Sequence, residues 1–179
     1  MHVMIDLETM SLAPNAALVS IGAVMMTEQG ETIDSFYRNV SLVSSVNAGL
    51  HVDPATILWW MQQSDQARDA LTLQSRPLDE ALKAFSEWMV IPNSSERLIG
   101  VWGNGAASDN VWLAEAYRAV GWPRPWSHKQ DRCYRTFRAM HTDVAPPQEN
   151  ENAHNALADA HWQADFMRNV CKEKGLVLA

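Results

Sequence analysis

Cysteine is nearly absent: the 179 residues contain two, Cys133 and Cys171. They lack metal-ligand spacing and lie in stretches that read as helices. That argues against a disulfide framework or a thiolate metal site, and predicts free thiols in a reducing compartment. No apolar run is long enough to span a bilayer. The strand pattern already begins at Val3, leaving no room before it for a leader with basic, apolar and cleavage regions. The expectation is a soluble, cytoplasmic protein that does not insert into a membrane. Internal repeats and low-complexity tracts are also missing. Positive charge is in deficit, with a net charge of -7. This disfavours indiscriminate binding to a polyanion, although cations gathered on an acidic site would offset part of it locally.

What is present suits one folded unit. A hydrophobic fraction of 47% with 20% charged residues predicts a single domain over residues 1–179. His2 to Glu8 and Ala17 to Met26 read as strands, and Thr32 to Val40 alternates around Ile33, Phe36 and Val40. With a turn at Glu28 to Glu31, these predict an antiparallel meander. Asp53-Pro54 opens a helix and Leu78 to Met89 forms another. Leu98 to Trp102 reads as a strand running into Gly103-Asn104-Gly105. Ser108 then caps a helix with Trp112, Leu113, Ala116, Tyr117 and Val120 on its apolar face. Trp122 to Trp126 is a rigid connector, Arg132 to Met140 a short helix and Asp143 to Asn152 a mobile loop. Asn155 caps a last helix reaching about Lys174. The fold class is α/β, a mixed sheet of an antiparallel meander plus parallel strands, flanked by helices; the ribonuclease H-like arrangement is one member of that class.

Acids stand where propensity singles them out. Asp6 and Glu8 are two apart on a strand and so share a face. Two bare carboxylates in an apolar strand repel each other and resist burial, an arrangement that makes sense with a cation between them. Asp109 falls at a helix start after a strand, and Asp159 in the first turn of the last helix, with His154 just before it. Carboxylates without thiolates suit hard ions such as Mg²⁺ or Mn²⁺, and a pair of such ions serves phosphoryl chemistry. A histidine beside them can accept a proton from the attacking water.

Asp6-Leu7-Glu8-Thr9-Met10, Trp102-Gly103-Asn104-Gly105-Ala106-Ala107-Ser108-Asp109 and His154-x4-Asp159 resemble the three motifs of the DEDDh exonucleases, the DnaQ-like superfamily. The wording around them, with Trp59-Trp60 and Asp131-x-x-x-Arg135-Thr136, is most similar to the ribonuclease T-like exoribonucleases, also labelled exonuclease VIII-like. The resemblance implies a ribonuclease H-like fold and 3′-5′ exonuclease activity on single-stranded nucleic acid, RNA favoured over DNA. It also implies two bound ions, Mg²⁺ or Mn²⁺. Asp6 would bridge both, Glu8 and Asp159 would complete one shell, Asp109 would hold the other ion directly or through water, and His154 would be the base. Thr9 and Met10 would line the pocket for the terminal nucleoside, and Asn104 would join the substrate-binding residues. Relatives commonly carry phenylalanine immediately before the second-motif aspartate, where this chain has Ser108.

Most of the eight tryptophans read as core, including Trp112 and Trp162. Trp59 and Trp60 point about 100° apart on a helix, so only one can face the core. The other is open to a substrate base, a second packing surface or a homodimer contact. Arg132, Arg135 and Arg138 share one face of their predicted helix, as a phosphate track or as a solvated face. Asp131 could join the acids, orient Arg135 or cap that helix. Two other functions stay open: a noncatalytic nucleic-acid- or partner-binding domain of the same fold, whose sign would be a missing acid, and an endonuclease of the ribonuclease H type.

Overall fold

The computed structural model describes residues 1–90, 97–150 and 152–179. Five strands form one sheet: β1 (His2–Thr9), β2 (Leu18–Met26), β3 (Thr32–Asn39), β4 (Gly100–Gly103) and β5 (Asp131–Cys133). Their order is β3-β2-β1-β4-β5. The first three make the expected antiparallel meander, while β4 joins β1 and β5 joins β4 in parallel. Among the described residues seven α-helices flank it: α1 (Leu42–Asn47), α2 (Pro54–Trp60), α3 (Asp65–Ala70), α4 (Leu78–Met89), α5 (Asp109–Ala119), α6 (Tyr134–Ala139) and α7 (Ala156–Lys174). Among the described residues no helix is long and apolar enough to cross a membrane.

Alternation along β1 divides the core. Val3, Ile5 and Leu7 pack with Leu82 and Phe85 of α4 and Leu113 of α5. Met4, on the opposite face, packs with Val24 and with Ala164 and Met167 of α7. Asp6 and Glu8 continue the Met4 face beyond the point where this apolar layer ends. Burying side chains on both faces explains why β1 and β2 read as nearly continuous apolar runs.

Two glycines let helix N-termini come close to the sheet. Gly22 lies opposite Asp6 in the ladder, and a Cβ there would stand 2.2 Å from the Ala156 carbonyl carbon. Only a residue without a side chain lets the first turn of α7 rest on β2 beside Asp6. At Gly103 a Cβ would stand 2.9 Å from that of Asp109, so the first turn of α5 docks on the end of β4.

Several local expectations are corrected. The segment Arg132 to Met140 does not start as a helix: Asp131–Cys133 is a strand, and the helix begins at Tyr134. Three residues are too few for an alternation pattern, and only pairing with β4 makes them a strand. Cys133 therefore ends a strand; both thiols are free. Strand β4 begins at Gly100 rather than Leu98. Ser108 holds the N-cap position of α5, but its side chain makes no capping bond; the Asp109 carboxylate instead takes the backbone N–H of Gly105 at 3.2 Å. Asn155 caps α7 as expected, accepting from Ala158 N. Residue 151 of the expected mobile loop lies outside the described residues. Elsewhere that stretch has no regular element and is tied by Trp162, whose Nε1 donates to the Gln148 carbonyl at 2.9 Å.

Candidate active site

β1 supplies Asp6 and Glu8, α5 supplies Asp109, and α7 with the residues before it supplies Asp159 and His154. All five line one cleft of about 370 Å³. Carboxylate oxygens of Asp6, Glu8 and Asp159 lie within 4.8 Å of one another. Asp109 stands beside this trio with both oxygens engaged by backbone, accepting from Leu7 N at 3.3 Å and Gly105 N at 3.2 Å.

Burial sets the electrostatics. It pushes the Asp6 carboxyl well above the carboxylate range, and the charges of Asp109, Glu8 and Asp159 push it further. Glu8 is raised to about 8, by burial first and then by Asp159 and Asp109. Burial raises Asp109 to about 6 against the lowering effect of its backbone N–H bonds. Asp159 is also raised by burial, with bonds from Asn150 and His154 opposing.

Among the described residues none of the four acids has an ion-pair partner within salt-bridge distance. Their partners are neutral: Gln163 Nε2 donates to Asp6 Oδ1 at 2.7 Å, and Asn150 Nδ2 to Asp159 Oδ1 at 2.7 Å. Neutral amides orient a carboxylate without cancelling its charge. An all-oxygen set with no directly paired cation fits a hard divalent ion.

His154 has a backbone φ of 67°, in the left-handed region that a histidine seldom occupies. Its backbone N–H donates to Asp159 Oδ2 at 3.0 Å. Its ring meets that of Trp59 edge-on, with centroids 5.0 Å apart. This settles which tryptophan of the pair faces outward: Trp60 is 4% exposed and donates from Nε1 to the Thr9 carbonyl at 3.0 Å, whereas Trp59 is 42% exposed.

The remaining predicted site residues divide. Asn104 and Arg135 line the acidic cleft. Thr9 and Trp59 line an adjoining apolar cavity of about 380 Å³. Met10 does not: it is buried in the core with Leu7 and Trp60. Arg132 does not reach the cleft either. Its strand position separates it from the face of α6, and Nη1 donates to the carbonyls of Lys129 and Asp131 at 2.9 and 3.2 Å. Arg138 takes its place on the cleft wall, stacked over the Trp162 ring at 5.1 Å. Asp131 is neither a site acid nor a partner of Arg135. It accepts from Trp126 Nε1 at 2.7 Å, Asn110 Nδ2 at 3.2 Å and Arg124 Nη2 at 3.2 Å.

Gln163, Asn150, Gly22 and Trp112 are the contributors that sequence reasoning overlooked. Gln163 had a signal: it follows Asp159 by four positions on a helix and so shares its face. Trp112 and Trp162, expected in the core, do pack against its two clusters, but they are half-buried and also line the cleft.

The model of the 3′-5′ exoribonuclease Rv2179c-like domain family matches residues 1–171. No curated protein matches. Solved structures with the same fold include the nuclease domain of 3′hExo, a DEDDh family member, bound to rAMP. The two are 14% identical, with a TM-score of 0.68 over 99% of this chain and 94% of that one. E. coli exonuclease I in complex with a dT13 oligonucleotide is 14% identical, with a TM-score of 0.66 over 97% of this chain and 41% of that one. Exonuclease I from Methylocaldum szegediense is also 14% identical, with a TM-score of 0.65 over 97% and 41%. The chain thus spans about two fifths of the length of the exonuclease I chains it matches. At these identities the likeness is one of fold, the ribonuclease H-like arrangement that the motif resemblance implies.

Proposed function

The chain belongs to the 3′-5′ exoribonuclease Rv2179c-like domain family, and on that premise we propose that residues 1–179 form one catalytic domain that releases nucleoside monophosphates from single-stranded 3′ ends. The observation that carries this reading is the convergence of Asp6, Glu8 and Asp159 within 4.8 Å, with Asp109 and His154 in the same cleft. RNA is the favoured substrate because the family is one of exoribonucleases. The similar structures hold a ribonucleotide in one case and a deoxyoligonucleotide in another.

Two divalent cations, Mg²⁺ or Mn²⁺, would be held by Asp6 between them, by Glu8 and Asp159 on one side and by Asp109 on the other. When bound, such ions neutralise phosphate charge and ease ionisation of the attacking water. His154 accepts the proton from that water, its ring held by the edge-on contact with Trp59. Arg135, exposed on the cleft wall, offers its guanidinium to phosphate oxygens. The terminal nucleoside lodges in the apolar cavity beside Thr9, next to Glu8.

Incubating 5′-labelled RNA and DNA oligonucleotides with the protein and Mg²⁺ or Mn²⁺ tests this reading. A ladder shortening from the 3′ end, faster on RNA, is expected. Fixed internal fragments would point to an endonuclease, and immediate release of the labelled nucleotide to the opposite polarity. His154→Ala should lower turnover by about 10²- to 10⁴-fold, the usual contribution of a general base, while calorimetric Mn²⁺ binding stays as in the parent. A lost binding event would make His154 a ligand instead.

A further inference from the structure

Four tryptophans line the two adjoining cavities, and three of them are already engaged. Trp60 is buried and bonded through Nε1 to Thr9. Trp59 meets both Trp60 and His154 edge-on at 5.0 Å. Trp162 donates to the Gln148 carbonyl and carries Arg138 over its ring. Trp112 differs. It packs against the main core cluster, but among the described residues it has no aromatic neighbour in stacking range, no cation over its ring and no partner for Nε1, and it lines both cavities.

Its position follows from the helix. Trp112 comes three residues after Asp109 on α5, and residues at that spacing are neighbours on the helix surface. Leu113 and Ala116 turn into the core, leaving the half-buried Trp112 ring at the rim of the acidic cleft. The cavities share Leu7, Glu8 and Trp112, so this ring stands where acid cleft and apolar cavity meet. A nucleotide with its phosphate at the acids would have its base on the apolar side of that boundary.

We infer that Trp112 is the ring that stacks on the base of the substrate's 3′-terminal nucleotide. The identity of that base rests on the exonuclease reading above; the availability of the ring does not. An indole that packs on the core along one side, with no ring or cation stacked on it, at the mouth of an apolar cavity offers a π-face to any base. It therefore contributes affinity with little sequence preference, and base–aromatic stacking is worth about 1–3 kcal/mol.

The test compares Trp112→Ala, Trp112→Phe and Trp112→Leu. On an oligonucleotide substrate Trp112→Ala should raise KM by roughly 5- to 150-fold, the span of that stacking range, with a much smaller change in kcat. Phenylalanine should restore most of the loss and leucine should not. Leucine rescue equal to phenylalanine would make Trp112 an apolar wall and overturn the inference. An oligonucleotide whose 3′-terminal nucleotide lacks its base should be insensitive to Trp112→Ala; an undiminished effect on it would also overturn the assignment. A second readout needs no turnover: titration with CMP in the presence of Ca²⁺ should quench tryptophan fluorescence, ribose 5-phosphate should not, and Trp112→Phe should remove most of the quench. A protein that cleaves no oligonucleotide yet shows this quench would lose the exonuclease reading and keep the stacking ring. Cleavage with a quench unchanged in Trp112→Phe would do the reverse.

Discussion

Asp6→Asn is expected to lower the rate of 3′-end hydrolysis by roughly 10³-fold or more, comparable to removing a strong electrostatic stabiliser of the transition state. Asp6 sits at the centre of the acidic cluster, with the carboxylates of Glu8, Asp159 and Asp109 around it. Asparagine keeps the shape and an oxygen to accept from Gln163, which now donates at 2.7 Å, but removes the charge on which a bridging cation depends. The fold should not suffer. Burial and three neighbouring acids already favour the neutral form of Asp6, so the variant should unfold in chelator at the same temperature as the parent or higher. Single-turnover hydrolysis and thermal unfolding measure the two halves. Activity within a few-fold of the parent would show that Asp6 is not the shared ligand, and a large fall in stability would give it a structural role instead.

Removing divalent ions with a chelator should abolish activity, and Mg²⁺ or Mn²⁺ should restore it; full activity in excess chelator would sink the metal-dependent reading. The same treatment should expose a pH dependence of stability. Glu8 is raised from 4.5 to about 8 and Asp109 from 3.8 to about 6. Between those limits the folded, metal-free protein holds protons that the unfolded chain has released. Its stability is therefore greatest in mild acid and falls as pH rises towards about 8. The loss is on the order of a few kcal/mol, because a tenfold change in a carboxyl's proton affinity on folding is worth about 1.4 kcal/mol. Cations bind the ionised carboxylates and displace those protons, so Mg²⁺ should raise the unfolding temperature more at pH 8 than at pH 6. An increment independent of pH would mean that the ions bind elsewhere.

Much of this protein is legible one segment at a time. The alternation that turns Asp6 and Glu8 to one face, the Asn155 cap that starts α7 and the limits of α4 are local properties, set within a few residues by backbone geometry and capping. The five motif residues that the structure brings into one cleft were likewise visible in the sequence, because the three motifs that carry them occur together and in order, where each acid alone would pass for a solvated or helix-starting residue. Other features depend on contacts between distant segments. β5 is a strand because β4 lies beside it, and that pairing sends Arg132 away from the cleft while Arg135 and Arg138 stay on its wall. The periodicity of α5 places Trp112 on an apolar face but cannot say that the core covers only part of its ring and leaves the rest to the cleft. Gly22 looks like an ordinary strand glycine until the first turn of α7 rests on it. The sequence by itself determined the elements and the chemical inventory. Only the tertiary structure decided which rings and arginines face the cleft, because orientation at a boundary depends on what packs on the other side.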